Sequence, residues 1–175
     1  TEIFRQAARS LIVENAHHII SSEPLQKGGR TDDFFFLESD GDAARKLVCD
    51  LVTTRLPRSY GFDPIRDIQV LCPTKLGPTG TQALNVELQN LLNPEQKGKP
   101  QLQSASRVFR VGDKVMQVRN NYEIIWNRIG GEQGVGAYNG DIGIVESINP
   151  RDRSMVVRMD DRRLIYPAEN LGELE

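Results

Sequence analysis

The sequence has little of what would commit it to a metal, a membrane or a disulfide scaffold. It holds two cysteines, two histidines and one tryptophan in 175 residues. Cys49 and Cys72 match neither a disulfide framework nor a thiolate metal site, and they read as reduced core thiols of a cytoplasmic protein. His17 and His18 close a helical pattern with no further ligands in sight, so no metal site is expected. No apolar run approaches the roughly 18 residues of a membrane span and no signal-peptide pattern opens the chain, so a membrane is not among the expected partners. A net charge of −2 excludes a uniformly basic coat protein, and any nucleic-acid contact must come from local clustering. The phosphate-loop pattern G-x-x-x-x-G-K-[ST] is missing too. Its nearest approach, "LCPTKLGPTGTQALN" from Leu71 to Asn85, has Thr81 where that pattern needs lysine, and Lys75 precedes the glycines. This loop is not expected to hold the triphosphate of ATP.

What is present is ordinary globular material, 38% hydrophobic and 26% charged, enough for one medium domain or two small ones. Residues 3–20 carry apolar side chains at helical spacing. The short aromatic run "FFFLES" (34–39) reads as a buried strand, residues 40–56 as a helix closed by Pro57, "DIQVLCP" (67–73) as a second buried strand, and residues 80–93 as an amphipathic helix. That order predicts an α/β layer with a parallel sheet. After a polar linker from Pro94 the pattern changes to short strands at 108–119, 143–148, 154–159 and 163–167, with turn residues between them. These predict a small SH3-like barrel, and the Gly-rich run 130–140 reads as a flexible loop tip. "NGD" at 139–141 is the sharpest turn signal, in a hairpin or in a longer connection.

Three stretches carry more than periodicity. "TEIFRQAARSLIVENAHHI" resembles motif IV of superfamily 1 helicases, in particular the RecD-like branch. "DKVMQVRNNYEIIWNR" followed by "YNGDIGIVESI" resembles the SH3-like insertion of the second RecA-like domain in that branch, and "PTKLGPTGTQALNVELQNLLNP" resembles the segment between the two. The resemblance implies an α/β chain made of a partial RecA-like parallel-sheet layer (residues 1–106) followed by a small SH3-like β-barrel (residues 107–175). It implies a piece of an ATP-dependent motor that moves 5′ to 3′ on single-stranded DNA. ATP and Mg²⁺ belong to the complete enzyme and neither is expected on this piece alone, because the phosphate-binding loop and the acidic Mg²⁺ motif are missing from it. Single-stranded DNA and the remaining helicase domains of the parent chain are the implied partners.

The same resemblance makes Arg5 an arginine finger, a planar and permanently charged group that stabilises the transferring phosphoryl, with Gln6 beside it at the ATP phosphates. By the residues alone Arg5 also reads as a solvated cation in the first turn of a helix. Thr74, Lys75, Thr79 and Thr81 are candidates for a DNA-phosphate grip at a helix N-terminus, although Thr79 or Thr81 with Gly80 also makes a simple helix cap. The run 107–128 interleaves Arg107, Arg110, Lys114, Arg119 and Arg128 with Phe109, Tyr122 and Trp126, a composition that binds single strands. From it Arg119, Asn120, Asn121 and Tyr122 are the DNA-contact candidates, while Trp126 falls in an expected loop. The competing functions are a stand-alone nucleic-acid-binding module without a motor, and a barrel that binds a protein segment.

Overall fold

The computed structural model describes residues 10–29, 32–105, 107–128 and 130–175. The chain divides into two units, Thr1–Asp40 and Gly41–Glu175.

In the first unit, helix α1 spans Leu11–Ile20. It starts there because Ser10 is extended at the N-cap position and Asp33, from the returning loop, accepts the Leu11 N–H at 2.9 Å. Of the expected helix over 3–20, residues 11–20 are helical, and residues 3–9 lie outside the described ones. Asn15 is buried and holds the loop with both amide atoms, donating to Gln26 O at 3.0 Å and accepting from Gln26 N at 2.7 Å. The run at 34–39 is not a strand, and Phe35, Phe36 and Leu37 are exposed.

The second unit opens with α2 (Gly41–Asp50), which continues through a π-helical stretch, Leu51–Arg55, into a last helical turn, α3 (Leu56–Tyr60). Pro57 does not close the helix as the sequence predicts. Lacking an N–H, it cannot make the regular bond back to the preceding turn, and the backbone widens ahead of it. Gly61 at φ 72° makes the actual stop. Residues 63–67 then form a tight turn in which Asp63 Oδ1 accepts the N–H groups of Ile65 and Arg66. This consumes the start of the second expected strand, and Leu71 beyond it is exposed. Helix α4 spans Thr81–Leu92, close to its expected bounds.

All strand pairs among the described residues are antiparallel. The expected parallel sheet is not among the described residues, where neither 34–39 nor 67–73 forms a strand. A hairpin, β1 (Gln101–Ser104) and β2 (Arg107–Arg110), forms where a linker was expected, pairing across the expected 106/107 boundary. A six-stranded sheet follows, built from β3 (Lys114–Met116), β4 (Asn121–Arg128), β5 (Gln133–Ala137), β6 (Ile142–Asn149), β7 (Ser154–Met159) and β8 (Arg162–Tyr166) in the order β3-β6-β7-β8-β4-β5. Its topology fits an SH3-like domain. β3 and β5 are its edges, and the tail covers β3 through two bonds between Met116 and Glu175 and one from Val118 N to Glu173 O.

The core lies on the inner face of this sheet, where Val115, Val145, Met155, Val157, Leu164 and Tyr166 alternate with outward residues along their strands. The hairpin contributes Leu102 and Phe109, and the 3-10 turn Ala168–Glu173 with the tail contributes Leu171 and Leu174. Helix α4 is pinned to the turn before β3 by buried Asp113, which accepts from Gln89 Nε2 and Asn93 Nδ2, both at 2.6 Å, and from Arg110 N at 2.8 Å.

Candidate nucleic-acid interface

The loop Leu71–Gly80 delivers its carbonyls to the helix that follows it. Thr81 N donates to Thr74 O at 3.1 Å and Gln82 N to Lys75 O at 3.2 Å, so two of the first N–H groups of α4 are satisfied within the protein. The Thr74 hydroxyl donates to Leu76 O at 2.9 Å, and the Thr81 hydroxyl to Glu175 Oε1 at 3.0 Å. Of the four candidates here, Lys75 and Thr79 are the ones whose side chains make no hydrogen bond among the described residues; Lys75 is exposed and Thr79 half-buried. The close turn needs glycine at position 80, because a Cβ there would stand 2.6 Å from both Lys75 O and Leu76 O. Backbone atoms cannot swing aside as a side chain can. Gly80→Ala should lower stability by about 1–3 kcal/mol, read from the urea midpoint of the Trp126 fluorescence transition.

Most of the basic run is committed to structure. Arg110 is buried and donates to Asn93 O and Asn90 Oδ1. Arg107 donates to Leu174 O, Lys114 to Ile68 O at 2.9 Å, and Arg128 pairs with Glu132 at 2.6 Å and Asp161 at 3.0 Å. Trp126 is not in a loop. It lies in β4, half-buried against the core, with the guanidinium carbons of Arg128 and Arg162 at 5.3 and 6.0 Å from its ring centre.

The four candidates at 119–122 divide. Asn121 turns inward: its amide donates to both oxygens of Glu173, at 3.0 and 2.9 Å, and its Oδ1 accepts Glu123 N. Glu173 is buried and also accepts from Gln117 Nε2 at 3.1 Å and Asn170 Nδ2 at 3.0 Å. Burial alone would raise its pKa, but the amide bonds of Asn121, Asn170 and Gln117, with Arg119 at 3.8 Å, outweigh it and hold the carboxyl below its usual range. Tyr166 completes the network by donating its hydroxyl to Gln117 Oε1 at 2.9 Å, and burial pushes its phenol pKa up.

Arg119, Asn120 and Tyr122 face outward. Arg119 and Tyr122 are 64% and 65% exposed, and the Asn120 amide donates to Tyr122 Oη at 3.3 Å. Tyr122 meets Tyr138 edge to face, ring centres 6.1 Å apart and planes at 76°. Tyr138 is not among the sequence candidates, because the Gly-rich run reads as a loop tip. In fact residues 133–137 form β5, which pairs with β4. The Tyr138–Asp141 turn links β5 to β6, with Asp141 N bonded to Tyr138 O at 2.9 Å, so "NGD" belongs to a connection rather than to a hairpin. Asn120 Oδ1 accepts Asn139 N at 2.9 Å and fixes this turn beside Tyr122. The aromatic directly before Asn-Gly was the available signal. The result is a held, exposed pair of rings, with the exposed Arg119 in the same 119–122 segment as Tyr122.

Residues 84–159 match the family described as the SH3 domain of ATP-dependent RecD-like DNA helicases. In this region the chain is similar to a RecD-like helicase segment. It is 32% identical over 145 residues to the ATP-dependent RecD2 DNA helicase of Deinococcus radiodurans, an alignment covering 83% of this chain and 17% of that protein. The family match begins inside α4, where Gln89, Asn90 and Asn93 tie this helix to the β2–β3 turn. Arg5 and Gln6 lie outside the described residues. Among the described residues no group of three or more metal-ligating side chains gathers, and no helix is long and apolar enough to cross a membrane.

Proposed function

We propose that this segment serves an ATP-dependent DNA helicase by contacting single-stranded DNA, and that the observation carrying this reading is the Tyr122–Tyr138 pair with Arg119 on a RecD-like SH3 domain. Rings held open to solvent offer stacking faces to any unpaired base, and the guanidinium answers a backbone phosphate. Asn120 positions the rings, Lys75 and Thr79 offer a second contact to the backbone, and Thr74, Thr81 and Asn121 act by holding structure.

In the parent chain, residues 1–106 would belong to the second RecA-like domain. Residues 34–39 and 68–72 would gain their strand partners from the remaining helicase domains, which would also cover Phe35, Phe36, Leu37 and Leu71. Arg5 would reach the phosphates of ATP and Mg²⁺ held by those domains, with Gln6 beside it, and movement would run 5′ to 3′. The resemblance of residues 1–19 to helicase motif IV supports this reading.

Fluorescence anisotropy with labelled oligo(dT) tests the DNA contact. Replacing Tyr122 and Tyr138 together with alanine should weaken binding by about tenfold or more, in line with ~1–3 kcal/mol per stacked base. Unchanged affinity would refute the contact, and ATP turnover by the pure segment would refute its place as a piece of a larger motor.

A further inference from the structure

We propose that a groove on the outer face of β3, β6 and β7, closed on one side by the 63–67 turn, binds a phosphate group through Arg66, Lys114 and Arg158. The groove is open to solvent and offers about 360 Å³. Lys114 and Arg158 are cross-strand partners of Ile144 on its two sides, so all three project from one face, while Val115 and Val157 on the opposite face are core. Two strand spacings separate the cations' backbones by roughly 10 Å, a span that two long side chains can close over one tetrahedral anion. Arg66 approaches from the turn and also lines the groove.

The three cations are not locked in close pairs, although Asp63 attracts Arg66 and Lys114 and Glu146 attracts Arg158. Among the described residues Arg66, Lys114 and Arg158 form no ion pair. Neighbouring Arg163, by contrast, is engaged at both ends of its fork by Glu146, at 2.5 and 2.8 Å. Lys114 gives one proton to Ile68 O and keeps two, and burial lowers its pKa against the opposing pull of Asp63 and Asp67. An anion in the groove would relieve that desolvation. Both acids are occupied by the turn, Asp63 with the Ile65 and Arg66 amides and Asp67 with the Asp63 amide. Asp160 lines the groove and makes no side-chain bond among the described residues, so it opposes an anion and gives the test a second sign.

The phosphate can come from a nucleic-acid backbone or from a small phosphorylated molecule. The backbone source rests on the DNA reading above; the site itself does not. Arg66 and Arg158 are exposed and make no side-chain hydrogen bond among the described residues, so replacing both with alanine leaves the fold intact. The amide signals of Gly143 and Ile144 are followed by NMR while oligo(dT), and separately inorganic pyrophosphate, is titrated into the segment. A saturable shift with either probe, lost in the double variant and strengthened by Asp160→Asn, is the expected result. If the source is a backbone, the double variant also weakens oligo(dT) binding about three- to tenfold and flattens its logarithmic salt slope by about 1. No shift with either probe, or shifts that survive in the double variant, would overturn the groove. Loss of oligo(dT) binding in the tyrosine variants but not in the arginine variant leaves the DNA contact standing and removes the groove from it. A response of these amides to pyrophosphate with none to oligo(dT) keeps the groove and removes it from the DNA contact, which the tyrosine variants test separately.

Discussion

Glu173→Leu should destabilise the segment by about 2–4 kcal/mol, the cost of leaving buried amide donors without their acceptor. Three side chains, Gln117, Asn121 and Asn170, point amide hydrogens at this one carboxylate, and Gln117 is fully buried. Leucine would fill the space while removing this acceptor from half-buried Asn121 and Asn170 and from buried Gln117, which keeps only its bond to Arg119 O. The readout is urea unfolding followed by Trp126, the single tryptophan, which lies in β4 against the same core. Acid provides an independent check. The folded-state pKa of Glu173 lies below its usual value of 4.5, so its contribution is complete above that pH and is lost as the pH falls through the lowered folded value. Glu173→Gln keeps one acceptor and no charge, so it should cost less and flatten the acid limb. A Leu variant as stable as the parent segment would refute this role. Because Glu173 also holds Asn121 and stands 3.8 Å from Arg119, the same substitution should loosen the turn that presents Tyr122.

In the full-length parent, Arg5→Ala should lower ATP turnover about a thousandfold at saturating single-stranded DNA, the usual scale for an arginine finger. Arg5→Lys should recover little of it, since an ammonium keeps the charge but loses the planar fork. Steady-state hydrolysis checks both, with DNA affinity of the isolated segment as the control that should not move. A loss smaller than about tenfold would place Arg5 outside the reaction and return it to a solvated helix-end cation. The prediction rests on the motif around Arg5.

Legibility followed the range of the forces involved. Helix α4 and strands β6, β7 and β8 were readable because the pattern that makes them is local: apolar residues at helical spacing, or alternating residues between turns. The runs at 34–39 and 67–73 read as strands on equally good local grounds, yet a strand is completed by its neighbours, and no strand among the described residues lies beside either. Strand β5 was hidden for the opposite reason. Gln-Gly-Val-Gly-Ala has poor strand propensity, and its pairing with β4 overrides that.

At the candidate site, residue type alone determined the kinship and the chemistry on offer. The RecD-like stretches, the missing phosphate loop and the arginine–asparagine–tyrosine run were all present in the one-dimensional order. Tertiary structure decided how those groups are spent. Asn121 and Asn120 are neighbours of the same type, but one satisfies a buried carboxylate and the other braces two exposed rings. Of two threonines flanking the α4 turn, Thr81 holds the tail and Thr79 makes no side-chain hydrogen bond among the described residues. Tyr138 joins Tyr122 only because β5 pairs with β4. A side chain's chemistry is a property of its sequence position, but its availability depends on what the fold brings within hydrogen-bonding distance, and those partners lie tens of residues away along the chain.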